Sequence, residues 1–297
     1  VLRSVLQGLL GLALVTGMLA PAADADETKK LLLIAGTPSH GPGDHEFNAG
    51  VQLLAKCLES VEGLETVVQL NGWPEDESKF DGVDGILMYM DGGANHPAVQ
   101  EDRLKFIGAL MDKGVGLMCA HYGVEVLADK GGVEFKQWIG GYYENAWSCN
   151  PMWSPKYESF PDHPVARGVK PFEIRDEWYM HMRFRDDKAG VTELLVATPS
   201  DEVRNGPYVY PQGPYPHIQA DKGKPESMMW AVERPDGGRG VGFTGGHIHR
   251  NWGNDEFRKI VLNALVWVTG MDVPADGVQS SVSEDDLAKN LDPKEKR

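Results

Sequence analysis

The sequence predicts an α/β fold with a mostly parallel sheet flanked by helices, and three observations carry that expectation. Short continuous apolar runs recur along the chain, as strands buried on both faces require. Segments with apolar residues at helical spacing alternate with them, the pattern of crossover units between parallel strands. Loops rich in glycine, proline and histidine follow the apolar runs, where such sheets gather their ligands.

Leu31 to Ala35 reads as the first strand and ends in Gly36-Thr-Pro-Ser-His-Gly-Pro-Gly-Asp-His45, a loop of turn formers. Phe47 to Leu58 repeats apolar residues as a helix does. Val67-Val68 lies in a second strand, stopped by Asn71-Gly-Trp-Pro74. Ile86 to Met90 is a third, followed by Asp91-Gly92-Gly93 and His96, and Pro97 opens a helix running to about Lys113. Val115 to Ala120 is the fourth and pivotal strand. It is cut short by His121-Tyr122-Gly123, a sharp turn into a further helical pattern that would lift an exposed His121 above the sheet. Met228–Val232 and Val241–Thr244 are the last two strands, joined by the turn Pro235-Asp-Gly-Gly238. The final strand ends in Gly245-Gly246-His247-Ile248-His249, and Asp255 to Val268 is an amphipathic helix.

Six of the nine histidines (His40, His45, His96, His121, His247, His249) fall just after a predicted strand, which is the ligand-binding edge. Between residues 131 and 215 the pattern changes to an insertion dense in aromatics, with short strands at Phe172–Arg175 and Leu194–Ala197. Its tryptophans and tyrosines suit either a sugar-stacking surface or the packing of an irregular core. Beyond Met271 the chain is polar and charged; residues 273–297 form a polar C-terminal tail, of which Ser280 to Arg297 reads as solvated.

Composition narrows the partners. A chain of 297 residues, 41% hydrophobic, can bury a large core. A formal net charge of -15 argues against nucleic acid or an anionic membrane as partner. Residues 1–25 have the basic start, apolar middle and small-residue exit of a secretory signal, with Ala23-Asp24-Ala25 or Ala20-Pro21-Ala22 at the cleavage site. The run is short for a spanning helix, so the expectation is a secreted or periplasmic protein with no membrane span in the mature chain. Cys57, Cys119 and Cys149 are too few and too irregularly spaced for a disulfide framework.

Four stretches together resemble the ThuA-like (trehalose-utilisation) family. They are Cys119-Ala-His-Tyr-Gly123, Asp176-Glu177-Trp-Tyr179 with the preceding Trp138-Ile-Gly-Gly-Tyr-Tyr143, and Gly246-His-Ile-His-Arg-Asn-Trp252. The resemblance spans about Lys30 to Gly270, within a domain drawn at 29–272. It implies a flavodoxin-like sheet similar to class I glutamine amidotransferases. In those enzymes the sharp turn carries a cysteine nucleophile and a late histidine is its base. Here the turn position is His121, and Cys119 lies inside the strand, where a thiol is buried and inert. His247 stands as the late histidine.

Adjacent parallel strands lie about 5 Å apart, so imidazoles ending two of them can meet. Two imidazoles and a carboxylate make a divalent-metal site, for zinc or a similar ion, with open positions for water or substrate. The metal set is His121 and His247 with His40 as third ligand; His45 and Glu177 are the other candidates for that place, and His249 is a ligand or a supporting group. The same histidines could instead serve as acid and base without metal, or only hydrogen-bond in a polar cleft. The resemblance favours Glu177 as a catalytic base beside His121 and His247. His40, His45, Asp91, Tyr122, Tyr179 and Trp252 are the expected substrate-binding residues, with Glu125 placed on a surface helix. No nucleotide cofactor is expected. The functions left open are an enzyme acting on a glycoside or keto-sugar, a non-catalytic saccharide-binding module, and a thiol-dependent hydrolase using Cys119. The sequence leaves the oligomeric state open.

Overall fold

Strand pairing bears out the parallel sheet, in a computed structural model that describes residues 28–295. The leader expected at residues 1–25 lies outside the described residues. The central sheet has seven strands: β1 (Lys29–Ala35), β2 (Leu64–Gln69), β3 (Gly85–Tyr89), β4 (Gly116–Ala120), β5 (Val191–Ala197), β6 (Glu226–Glu233) and β7 (Arg239–Phe243). Their order is β5-β6-β7-β4-β3-β1-β2. The run from β2 to β7 is parallel throughout, and β6 and β5 are added antiparallel. The chain therefore reverses its progress across the sheet beside β1, as in flavodoxin-like folds, where ligands bind beyond the carboxyl ends.

Side-chain alternation divides the strands between two cores. Leu31, Leu33, Leu87, Met118 and Val241 face α1 (Phe47–Leu58) and the long helix at Asp255–Val268, with Phe257, Val261 and Leu265 among its buried residues. Leu32, Ile34, Ile86, Met88, Leu117 and Cys119 face α2 (Arg103–Met111) and α3 (Gly132–Trp138) through Ile107, Met111, Phe135 and Trp138. Asn254 starts the long helix by accepting from the backbone N–H groups of Glu256 and Phe257, two donors that a helix start leaves unpaired. We call this helix α4.

Several expectations need correction. Pro97 opens only a single 3-10 turn, Pro97–Val99, and the helix proper begins at Arg103. No helix follows directly after His121; a 3-10 turn, His121–Val124, is followed by extended chain before α3. Leu194–Ala197 belongs to the central sheet as part of β5. Most aromatics of the insertion are core: Trp138, Tyr142, Tyr143, Trp153, Tyr157, Trp178 and Tyr179 are buried, whereas Trp147 is half-buried and Tyr210 is exposed. The segment after Met271 is anchored: Val273 and Val278 are buried in the α1–α4 core, and within the stretch from Ser280, expected to be solvated, Leu287 is buried and the Lys294 side chain is 5% exposed, although most of its neighbours are exposed. Cys57 and Cys119 are buried, as expected; Cys149 is buried too, and all three are free. Among the described residues no helix is long and apolar enough to cross a membrane.

Candidate metal centre

β4 pairs with β7 through Ala120 and Phe243, so His121 and Thr244 leave the sheet side by side. His121 sits at φ 53°, a left-handed conformation uncommon for a residue with a side chain. That strain turns its ring across the strand ends rather than out to solvent: His121 is fully buried, not exposed as the turn suggested. Its Nδ1 lies 3.0 Å from the Thr244 carbonyl oxygen. A carbonyl only accepts, so Nδ1 carries the proton and Nε2 presents a lone pair to the interior.

The loop after β1 brings a second imidazole. His45, at φ 48° and fully buried, sets Nδ1 2.8 Å from a carboxylate oxygen of Asp91, in the loop after β3. Its Nε2 is 3.0 Å from Nε2 of His121 and 3.0 Å from Nδ1 of His247. His247 completes the trio, its Nδ1 lying 3.3 Å from Nε2 of His121 and 2.7 Å from Oε2 of Glu177. Its Nε2 faces Asp44 at 3.6 Å.

The backbone of the β7 loop is held by a buried carboxylate. Asp176 accepts from the N–H groups of Gly246, His247 and Ile248, at 2.8, 3.1 and 3.2 Å. Gly246, at φ 108°, makes the turn that needs this support, and the Tyr89 hydroxyl donates to its carbonyl. Burial pushes the Asp176 carboxyl up, although the bonds from the Gly246 N–H, the Asn251 side chain and the Glu177 N–H oppose the shift. The neighbouring Glu177 is 3% exposed and accepts from the Asn150 side-chain amide at 2.7 Å.

The result is a buried group of three imidazoles and a carboxylate, His45, His121, His247 and Glu177, whose ligand atoms lie within 4.8 Å of one another. Such a group could hold a metal ion. A tetrahedral zinc with bonds of about 2.0–2.1 Å separates its ligand atoms by about 3.3 Å. The three imidazole separations, 3.0, 3.0 and 3.3 Å, lie at or just below that value. His45 and His121 each tie the second nitrogen to an oxygen acceptor, the arrangement that orients metal-ligating histidines.

Charge is divided unevenly among the rings. Burial holds His45 and His121 well below the ordinary histidine range, and the neighbouring imidazoles add to the effect. Burial also acts on His247, but Asp44 and Glu177 outweigh it and raise the group to about 10. Positive charge in the cluster therefore falls on His247, between Asp44 and Glu177.

A cleft of about 200 Å³ opens over this group, lined by His45, Glu177, Tyr179, His40, Tyr122, Glu125, Asn145, Asn150, Val209 and Tyr210. That is below the ~300 Å³ at which pockets take drug-sized ligands, and suits a small molecule. Larger hollows of about 460 and 490 Å³ lie between α1 and the C-terminal segment, but neither is lined by a histidine.

Most sequence-expected residues gather here, and the exceptions are specific. His40 does not join His121 and His247 as third ligand; its ring stacks on His45 at 3.6 Å and its side chain is 42% exposed. His45 takes that place. Asp91 lies behind His45 and orients it. Gly92 serves an approach of protein to protein rather than to ligand: a Cβ there would lie 2.1 Å from the Tyr122 carbonyl oxygen. Tyr179 reaches His121, with its hydroxyl 3.4 Å from Nε2. Trp252 is not at the cleft; it is 1% exposed and packs against Tyr89 and Phe257. His96 and His249 are structural, one between the Ala98 N–H and the Gly123 carbonyl, the other donating to the Leu287 carbonyl. Glu125 is not on a surface helix but lines the cleft, 7% exposed, with its carboxyl pushed up to about 7, chiefly by burial.

Fold and site together define a flavodoxin-like α/β protein with a histidine-rich centre where strands β1, β3, β4 and β7 end. The profile of the ThuA family, described as trehalose utilisation, matches residues 30–268, and the chain belongs to that family. Among solved structures it is similar to a ThuA-like protein from Bacteroides uniformis, with 18% identity, 86% of this chain and 97% of that one covered, and a TM-score of 0.56. It is equally similar in fold to a ThuA-like protein from Parabacteroides merdae, at 16% identity, 88% and 99% coverage and a TM-score of 0.56. No curated protein matches the chain.

Proposed function

We propose that this ThuA-family protein is a metal-dependent enzyme acting on a small hydroxylated molecule, a glycoside or keto-sugar in keeping with the family's description. The observation that carries the reading is the approach of two Nε2 atoms, on His45 and His121, to 3.0 Å while both rings have their Nδ1–H committed to oxygen acceptors. Two lone pairs at that distance repel, and a metal ion among them relieves the repulsion, as the Nδ1 proton of His247 and the Tyr179 hydroxyl do in its absence.

In this reading His45, His121 and His247 hold a divalent ion such as zinc, which polarises a carbonyl or activates water when bound. Glu177 stands between the trio and the cleft and acts as base, with Asn150 fixing its carboxylate. His40, Tyr122 and Tyr179 line the substrate's side of the cleft. Burial of most of the insertion's aromatics reduces the stacking surface that a saccharide-binding module would use, leaving Tyr210 exposed at the cleft. A thiol mechanism is disfavoured because burial raises the Cys119 thiol far above its ordinary range. A secreted location, resting on residues 1–25, remains part of the proposal.

The separating experiment compares two variants on a panel of glycosides and keto-glycosides. Glu177→Gln should retain the metal and lose about 10²–10⁴ in kcat, as expected for removal of a general base. His121→Ala should lose both metal and turnover. A Glu177→Gln protein with undiminished turnover would contradict the assignment.

A further inference from the structure

The family profile ends at residue 268, yet the chain continues and folds back onto the candidate metal centre. Ser283 caps a short helix, Glu284–Leu287, with Asp286 returning the bond. Asp286 is tied to α1 through Lys56 at 2.6 Å. The Leu287 carbonyl then accepts from Nε2 of His249, at 3.2 Å, two residues after His247. Further on, the Asp292 N–H donates to Glu46 at 2.8 Å, and its carboxylate accepts from Asn48 at 2.8 Å.

The last contact is the most specific. The Lys294 ammonium, 5% exposed, donates to the carbonyls of Asp44 and His45 at 2.5 and 3.1 Å and pairs with Glu46 at 3.3 Å. Three consecutive residues of one loop are thereby held by one buried cation. They are the residues that carry His45 into the centre and set Asp44 opposite His247. Glu46 in turn accepts from the Gly43 N–H at 2.8 Å, closing the loop on itself. A buried lysine is costly unless every donor is used, so this contact selects one loop conformation.

We propose that residues 272–295, which lie beyond the family match, complete the metal centre by clamping the two loops that deliver His45 and His247, with Lys294 as the positioning residue. The inference rests on the reading of the trio as metal ligands. A ligand loop held from behind binds metal more tightly because its geometry is set before the ion arrives.

The test is zinc affinity of the full-length chain, measured by competition with a chromogenic chelator, alongside the melting temperature of each zinc-free protein. Lys294→Ala should weaken zinc binding about 10- to 100-fold, the range for loss of a supporting partner. Lys294→Arg should restore most of the affinity. Lys289→Ala, in the same segment but bonded only to Asp286, should bind zinc like the wild type. The zinc-free proteins should melt within a few degrees of one another. Wild-type affinity in Lys294→Ala would overturn the proposal alone. So would losses that appear equally in Lys289→Ala or that track a fall in zinc-free melting temperature. A wild-type chain that takes up no zinc would overturn the metal reading itself, and this one with it.

Discussion

Nε2 of His45 and Nε2 of His121 meet at 3.0 Å, although 76 residues separate them in the chain. Each ring has given its other nitrogen to an oxygen, Asp91 for one and the Thr244 carbonyl for the other. Their inner nitrogens are therefore both acceptors, open to a metal ion or, without one, to the Nδ1 proton of His247. The expectations below follow from that relationship.

Asp91 should matter for metal although it is not a ligand. Its carboxylate fixes which nitrogen of His45 is protonated and raises the basicity of the other. Asp91→Ala should weaken zinc binding about 10- to 100-fold without removing the site. Competition titration against a chelator checks this, and unaltered affinity would count against the role.

The zinc-free protein should be most stable near pH 6.5. His45 and His121 are held well below the ordinary value by burial, so below about 6.5 the unfolded chain binds protons that the fold refuses, and stability falls with pH. For His247, burial is outweighed by Asp44 and Glu177, and the group is raised to about 10. Its stabilising contribution is full below about 6.5 and is lost as pH climbs towards that value. Melting temperature against pH should show a shallower acid limb in His121→Gln and lose its alkaline limb in His247→Gln. Parallel profiles in all three proteins would exclude this assignment.

Glu125 should destabilise the protein at alkaline pH. Burial first, and the nearby Glu177 carboxylate after it, push its carboxyl up to about 7 against the pull of Asn145. Between about 4.5 and 7 the fold keeps a proton that the unfolded chain releases, so stability falls as pH rises across that window. Glu125→Gln should therefore be more stable than wild type at pH 8, by an amount on the order of 1–3 kcal/mol, and the gain should vanish at pH 4.5. Urea denaturation at the two pH values measures it, and a loss of stability at pH 8 would refute it.

The meeting of His121 and His247 was legible in the sequence because each ends an apolar run, and neighbouring parallel strands bring such ends together. The choice between His40 and His45 was not. Both lie in one turn-rich loop, and only the local backbone turns one ring inward and leaves the other stacked outside. Trp252 looked like a site residue from its motif, but an indole after a strand is as readily used to fill core, as its contacts with Tyr89 and Phe257 show. Glu125 was hidden because its burial comes from Gly92 and Tyr143, neighbours distant in sequence. The C-terminal segment misled by composition: a few anchors, Val278, Leu287 and Lys294, dock a stretch that is otherwise polar.

The central claim is that His45, His121 and His247 bind one divalent ion. It is tested most directly by dialysing the full chain against zinc, removing the excess and measuring metal per protein by inductively coupled plasma mass spectrometry. About one zinc per chain is expected, falling to background in both His121→Ala and His45→Ala, while His40→Ala keeps its metal. Zinc-free wild-type protein, or a metal content that survives loss of His45 and His121, would contradict it.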